Sequence, residues 1–148
     1  MVLASRGGAS VRGPVARTPL TTIDMTIDGA PERSSTTIGA IGGYAVVLTT
    51  ALPDRGVTLT SSYLAAMHGD IAASHLCSAP DAPARIEQHV LPGDQPGQTH
   101  AQVCLLDHVA ELQTRVAALI GGSVTIDIGE ETLQRADRAW RDQEEPTA

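Results

Sequence analysis

The 148-residue chain contains no Phe, Lys or Asn, and its only aromatic residues are Trp140, Tyr44 and Tyr63. Its hydrophobic core must therefore be built from Val, Leu, Ile and Ala. The near absence of aromatic rings removes the platform on which proteins usually stack single-stranded bases. Because Lys is absent, all ten basic residues are Arg, which keeps its charge and donates bidentate hydrogen bonds.

The chain also lacks long apolar runs and a cysteine framework. No segment reaches the roughly 18 consecutive apolar residues that predict a transmembrane helix, and Met1–Pro19 has no apolar stretch typical of a secretory signal. Cys77 and Cys104 can form at most one disulfide. These absences predict a soluble, cytoplasmic protein with no membrane partner.

The formal net charge of −7 is unevenly distributed. Arg6, Arg12 and Arg17 precede the first acidic residue, so residues 18–148 contain the other seven Arg and all seventeen acidic residues, a balance of −10. A surface that binds duplex nucleic acid usually has an excess of positive charge. The composition therefore argues against an ordinary nucleic-acid enzyme. Any nucleic-acid contacts are expected from the N-terminal arm and from the Arg residues of the last predicted helix.

Periodicity and turn residues predict a flexible arm at 1–18, a single domain at 19–142 and a flexible tail at 143–148. Within the domain, strands are predicted at residues 20–28, 43–51, 57–60, 100–107 and 123–128, and helices at 61–77, 108–120 and 130–142. Residues 30–40 are predicted to form a loop, and 78–99 a long insertion with one edge strand. The predicted order is β-β-β-α-β-α-β-α, which indicates the α/β class.

Four short motifs occur at particular positions in this order. They are Asp28-Gly29 at the end of the first strand, Gly42-Gly43-Tyr44 at the start of the second, Asp107 at the end of the fourth, and Ala136-Asp137 in the last helix. Together with the order of the elements, these motifs resemble the ribonuclease H family over about residues 20–142. The resemblance implies a ribonuclease H-like mixed five-stranded sheet with flanking helices, in which the first and fourth strands are adjacent and parallel.

The same resemblance implies a function. Asp28, Asp107 and Asp137 match carboxylates that bind two divalent ions in the family, so they become candidate catalytic and metal-binding residues. Mg²⁺, or Mn²⁺ in its place, is the expected cofactor because oxygen ligands suit it. The implied reaction is hydrolysis of the RNA strand of an RNA–DNA hybrid, or of a related nucleic acid, by a metal-dependent nuclease.

The aspartates also have structural explanations that need no metal. Asp28 suits a turn, Asp107 could cap the following helix, and Asp137 could pair with a neighbouring Arg. Ser62 stands where the family has a catalytic glutamate. A second hypothesis is therefore a catalytically degenerate ribonuclease H-like domain that binds a protein partner. A third is an unrelated α/β domain that binds a small ligand.

All five His and both Cys residues lie between residues 68 and 108. Zinc sites commonly show short Cys-x-x-Cys or His-x-x-x-His pairs, and this window contains neither. His75 lies on the apolar face of the predicted helix at 61–77 and is interpreted as a core histidine. Cys104 is interpreted as a small core residue.

Overall fold

The computed structural model describes residues 17–21, 23–41, 45–65, 69–93 and 97–144. The strands in these ranges are β1 Thr18–Leu20, β2 Ile23–Ile27, β3 Ala30–Glu32, β4 Ser35–Ile41, β5 Ala45–Leu52, β6 Val57–Ala65, β7 Ile71–Ala79, β8 Ala82–Leu91 and β9 Val124–Ile128. The helices are α1 His100–Glu111, a π-helical segment Leu112–Val116, α2 Ala117–Ile120 and α3 Glu130–Glu144.

The strands form two antiparallel sheets. The larger sheet has the order β1-β4-β5-β6-β7-β8, and the smaller has the order β9-β2-β3. Each strand pair within the described ranges is antiparallel. Strands β4 to β8 follow one another as neighbours, so the larger sheet is mostly a meander built from local connections.

The helices cover one face of the larger sheet. Helix α1 contacts α3 and β5, and α3 also contacts β4 and β1. Side chains along β5 alternate between buried and half-buried positions, as expected for a strand with one face against the core. The core between sheet and helices includes the fully buried side chains Leu48, Tyr63, Ile71 and Leu105. This arrangement points one face of β6, β7 and β8 at α1.

The predicted ribonuclease H-like mixed sheet is wrong. The predicted fourth strand, 100–107, is the first part of α1, and the first predicted strand instead pairs antiparallel with β9 and β3. Thr99 explains the helix, because its side chain accepts the Gln102 N–H while the Gln102 side chain accepts the Thr99 N–H. This capping box stabilises a helix that begins at His100.

The predicted helix at 61–77 is also wrong, since this stretch falls in β6 and β7. Leu64, Ile71 and His75 recur at helical spacing in the sequence, but the buried positions alternate along each strand. Gly69 has a φ of +84° between the two strands, a left-handed conformation that Gly adopts without steric cost. The chain turns back there, and two strands of small residues replace one helix.

One further segment forms strands where a loop was predicted, since residues 30–40 contain β3 and most of β4. The edge strand predicted within residues 78–99 is confirmed as the ten-residue β8 at the edge of the larger sheet. Strand β8 is mostly exposed on both faces. Its sequence therefore lacks the continuous apolar run that would predict a buried strand. Its pairing with β7 determines its conformation. Tertiary context overrides weak local propensity in residues 30–40.

Other predictions are confirmed. Strand β5, strand β9 and helix α3 lie within two residues of the predicted boundaries, and Gly121 ends α2 in the left-handed conformation.

The Gly42-Gly43-Tyr44 motif and residues 1–16 and 145–148 lie outside the described ranges. None of the described helices is long and apolar enough to cross a membrane; the cytoplasmic location stays a prediction.

Candidate metal centre

Four potential metal-ligating side chains converge between the larger sheet and α1. They are His75 on β7, His89 on β8, and Asp107 and Glu111 on α1, and one ligand atom from each lies within 4.8 Å of all the others. No other group of three or more His, Cys, Asp or Glu side chains among the described residues has this geometry. The group is partly buried, with His75 completely enclosed.

Register and helical periodicity explain why these residues meet. His89 pairs with Ala73, two residues before His75 on the same face of the sheet, and the two imidazole rings stack with centroids 5.0 Å apart. Asp107 and Glu111 are four residues apart on α1 and therefore share one face of the helix. The sheet supplies two nitrogen donors, and the helix supplies two carboxylates.

Asp107 is the centre of the group. Its Oδ2 accepts a hydrogen bond from the Tyr63 hydroxyl at 2.8 Å, and its Oδ1 lies 3.0 Å from His89 Nε2. Burial alone would raise the pKa of Asp107, but the contacts with His75, Tyr63 and His89 outweigh it and lower the pKa below its usual range. Asp107 is therefore an ionised carboxylate at neutral pH. Burial raises the pKa of Tyr63, which keeps its hydroxyl protonated as a donor.

His75 Nε2 also approaches Asp107, but without forming a hydrogen bond. The distance to Asp107 Oδ2 is 3.1 Å, yet the direction of approach leaves Nε2 buried without a hydrogen-bond partner among the described residues. The two groups still interact electrostatically at this distance, so Nε2 lacks a well-directed hydrogen bond but not a polar neighbour.

The other nitrogen of His75 begins a buried hydrogen-bonded chain. Nδ1 of His75 lies 2.7 Å from Ser61 Oγ, which lies 2.6 Å from Nδ1 of His108. Nε2 of His108 continues the chain to Thr50 at 2.8 Å, and Thr50 lies 2.7 Å from Thr36. Burial lowers the pKa of His108 to about 3, with the nearby His75 adding to the effect and Asp107 opposing it. His108 is thus neutral at pH 7.

Glu111 has a competing cation. Arg115 Nε donates to Glu111 Oε1 at 2.5 Å, and the same guanidinium pairs with Glu87 on β8. Arg115 belongs to the π-helical segment that starts directly after Glu111, and such segments occur frequently at functional sites. A cleft of about 580 Å³ next to this pair is lined by Glu111, Arg115 and Glu87, among other residues.

The three aspartates predicted from the sequence do not form one cluster. Asp107 belongs to the four-residue group, and Asp28 and Asp137 do not. Asp28 occupies a turn with a φ of 52°, where its Oδ1 accepts the Ser123 N–H at 2.9 Å. Asp137 accepts from Arg141 Nε at 2.9 Å. Both positions correspond to the structural explanations given for them, a turn and an ion pair.

Sequence reasoning missed His89 and Glu111 and interpreted His75 only as a core residue. His75 is indeed fully buried, as is Cys104, whose thiol pKa burial raises to about 12. A signal for Glu111 was present, because Thr99-x-x-Gln102 predicts a helix on which Asp107 and Glu111 share a face. The meeting of His75 with His89 depends on strand register, and no local spacing in the sequence encodes it.

No protein-family model, no curated protein and no solved structure matches this chain. The functional conclusion therefore depends on the chemistry of the site.

Proposed function

We propose that this chain is a metalloprotein that binds one divalent transition-metal ion through His75, His89, Asp107 and Glu111. The observation that carries the proposal is the convergence of four ligand atoms within 4.8 Å of one another, among them the fully buried His75 Nε2, which forms no well-directed hydrogen bond among the described residues. A buried polar atom without a well-directed partner is destabilising. A metal ion supplies the missing partner, since a neutral imidazole nitrogen is a common metal ligand.

The donor set favours Zn²⁺ over the Mg²⁺ or Mn²⁺ expected from the ribonuclease H resemblance. Two imidazoles and two carboxylates suit four-coordinate Zn²⁺, whereas Mg²⁺ prefers six oxygen ligands, several of them from water. Asp107 and Glu111 together would offset the charge of a divalent cation once Glu111 is released from Arg115. A neutral site lowers the free-energy cost of placing that cation in a partly buried position.

The surroundings of His75 support the same role. In metal sites the second ring nitrogen of a His ligand usually donates to an oxygen, which fixes the tautomer and the ring orientation. Ser61 Oγ lies at hydrogen-bond distance from His75 Nδ1. When Nδ1 carries the proton, Nε2 presents its lone pair towards Asp107 and His89.

Metal binding to the purified, chelator-treated chain tests the proposal. We expect calorimetry to show one equivalent of Zn²⁺ bound, Co²⁺ to give the visible absorption of a four-coordinate ion, and millimolar Mg²⁺ to show no binding. Asp107→Asn and His89→Ala should each weaken Zn²⁺ binding by more than about 100-fold. The matched controls Asp137→Asn and His100→Ala should not. Absence of Zn²⁺ binding, or equal loss in the controls, would overturn the proposal.

A hydrolytic enzyme is a second candidate function, favoured by the cleft beside Glu111 and Arg115. If Glu111 stays paired with Arg115, three protein ligands remain and the fourth metal position can hold water. Zinc held by His75, His89 and Asp107 would lower the pKa of a bound water to about 7 and would so supply a nucleophile at neutral pH. Zinc-dependent cleavage of activated phosphate or carboxylate esters, lost in Asp107→Asn, would support this candidate. Binding of Zn²⁺ without turnover would leave the metal-binding function alone.

The nuclease and interaction-module hypotheses have a weaker basis. Both depend on a ribonuclease H-like mixed sheet, whereas the described strands form two antiparallel sheets. Cleavage of an RNA–DNA hybrid and binding of a protein partner stay sequence-based predictions.

A further inference from the structure

The face of the larger sheet that points away from the helices carries no charged side chain over β5, β6 and β7. The residues on this face are Ala45, Val47, Thr49, Ala51, Thr58, Thr60, Ser62, Leu64, Ala72, Ser74, Leu76 and Ser78. On β8 the same face continues with Ile86, Gln88 and Val90. Such a surface is unusual in a chain with a formal charge of −7 and 18% charged residues, because solvated sheet faces are normally polar and charged.

This uncharged face also exposes most of the large apolar side chains on the described surface. Leu64, Leu76, Ile86 and Val90 are 48%, 39%, 65% and 67% exposed, and the other exposed large apolar residue, Leu119, lies on α2. A groove of about 620 Å³ crosses the face, and its lining includes Val47, Leu64 and Val90. Contiguous exposed apolar surface of this kind marks interaction sites.

Strand register arranges twelve of these side chains in three rows across the sheet, beside a fourth row formed by Ala51, Thr58 and Ser78. The first row is Ala45, Leu64, Ala72 and Val90; the second is Val47, Ser62, Ser74 and Gln88; the third is Thr49, Thr60, Leu76 and Ile86. The first and third rows therefore contain the large apolar residues, and the central row is mainly small and polar.

From this pattern we infer that the uncharged face binds a second copy of this chain. A two-fold axis along the central row places the first row of one copy over the third row of the other. Leu64 then faces Thr60, Ala72 faces Leu76 and Val90 faces Ile86, so the apolar side chains of each copy lie against small or apolar side chains of the other. Two sheets pack about 10 Å apart when their inner faces interdigitate in this way. An isologous interface of this kind closes as a dimer.

The size and charge of the face suit this occupant. Four strands spaced about 4.8 Å apart and about eight residues long cover roughly 500 Å² in outline. Two copies then bury about 1,000 Å², which is the smallest area expected of a specific interface. Each chain is acidic, so contact through charged surfaces would be repulsive, whereas this face brings no like charges together.

Pairing of two copies through the exposed edge of β8 is a different arrangement and is disfavoured. Pro83 lies in β8 and cannot donate a backbone hydrogen bond, and proline on an edge strand disfavours strand addition. Leu64 and Leu76 lie on β6 and β7, inside the sheet, so neither can touch a partner at that edge.

Sedimentation velocity and light scattering of the full-length chain test the inference. We expect the wild type to be a dimer at micromolar concentration, with or without chelator. Leu64→Glu combined with Leu76→Glu should give a monomer, and the control Leu119→Glu should stay dimeric. Far-UV circular dichroism and cooperative thermal unfolding identify any variant that fails to fold. If the double Glu variant fails to fold, Ser74→Arg, a substitution at the centre of the face, is measured in its place.

Three outcomes would overturn the inference. The first is a wild-type monomer. The second is a dimer that survives both the double Glu variant and Ser74→Arg. The third is a monomer that dimerises only after residues 1–16 are deleted, which would assign the face to the chain's own N-terminal segment.

Discussion

The hydroxyl of Ser61 lies 2.7 Å from His75 Nδ1, at the start of a buried chain that continues through His108 and Thr50 to Thr36. A hydroxyl has one proton, so it can donate to one of its two imidazole neighbours and must accept from the other. When His75 Nδ1 donates, Ser61 donates to His108 Nδ1, and His108 Nε2 donates to Thr50. Removing the proton from His75 Nε2 for a metal therefore sets the direction of every hydrogen bond in the chain.

Ser61→Ala should separate the positioning role of Ser61 from its contribution to stability. Loss of the hydroxyl removes the oxygen that holds the His75 tautomer, so Zn²⁺ affinity should fall about 10–100-fold. Two buried imidazole nitrogens also lose their partner, which should lower the free energy of unfolding by about 1–3 kcal/mol.

Calorimetric Zn²⁺ titration of the folded variant measures the affinity, and urea unfolding in chelator measures the stability. The matched control is Ser62→Ala, a neighbouring Ser on the opposite face of β6. A Ser61→Ala protein that is less stable but binds Zn²⁺ with unchanged affinity would contradict the positioning role.

The buried neutral state of His108 should make stability depend on pH. Burial lowers the pKa of His108 to about 3, whereas in the unfolded chain it titrates near 6.5. Between these values the unfolded chain binds the extra proton. The stabilisation is complete above pH 6.5 and is lost progressively as the pH falls towards 3, at up to about 1.4 kcal/mol per pH unit. The lowered pKa of Asp107 changes the free energy of unfolding only when the pH falls below its ordinary pKa of 3.8.

Urea unfolding in chelator at pH 7 and pH 5 should therefore show a loss of about 2 kcal/mol attributable to His108. His108→Gln, which keeps polar contacts but cannot take up a proton, should be correspondingly less sensitive over this interval. His100→Gln is the control for removal of a histidine. The same pH dependence in the wild type and in His108→Gln would show that His108 is not the responsible group.

Local sequence signals located the elements that have strong periodicity or clear caps. Strand β5 and helix α3 fall close to their predicted positions because alternation and amphipathic spacing are unambiguous there. The segment from Ser61 to Cys77 was misread because small residues such as Ala72 and Ala73 fit a helix and a strand equally well. Pairing with β5 and β8 determines its conformation, and a short window of the sequence does not reveal which strands will pair.

The candidate site was harder to predict than the fold elements. Only Asp107 was identified, and it was assigned to a different set of partners. His75 and His89 are fourteen residues apart and meet across β7 and β8 by register, so their pairing could be predicted only after both strands had been recognised. Asp107 and Glu111 required the helix that begins at His100.

The capping box at Thr99 should control the helix that carries both carboxylates. Thr99→Ala removes the acceptor for the Gln102 N–H, which should lower the free energy of unfolding by about 0.5–2 kcal/mol. Thr114→Ala, an exposed residue of the π-helical segment, serves as the control. Urea unfolding measures both. Equal stability of the two variants would mean that the capping box does not determine where α1 begins.

Arg115 should oppose metal binding because it holds the Glu111 carboxylate. Arg115→Met keeps much of the apolar stem of the side chain but removes the guanidinium, so Glu111 becomes free to coordinate the ion. We expect Zn²⁺ affinity to rise several-fold. The metal-free protein should be less stable, because Glu111 and Glu87 lose their shared partner.

Melting curves with and without Zn²⁺ test both effects together. The Zn²⁺-induced increase in melting temperature should be larger in Arg115→Met than in the wild type, since tighter binding to the folded state adds to stability. Arg135→Met is the matched control, as Arg135 also pairs with a Glu four residues earlier on a helix but belongs to α3. Glu111→Gln should abolish the gain when combined with Arg115→Met. If the double variant binds Zn²⁺ as tightly as Arg115→Met, Glu111 is not a ligand, and the site consists of His75, His89 and Asp107.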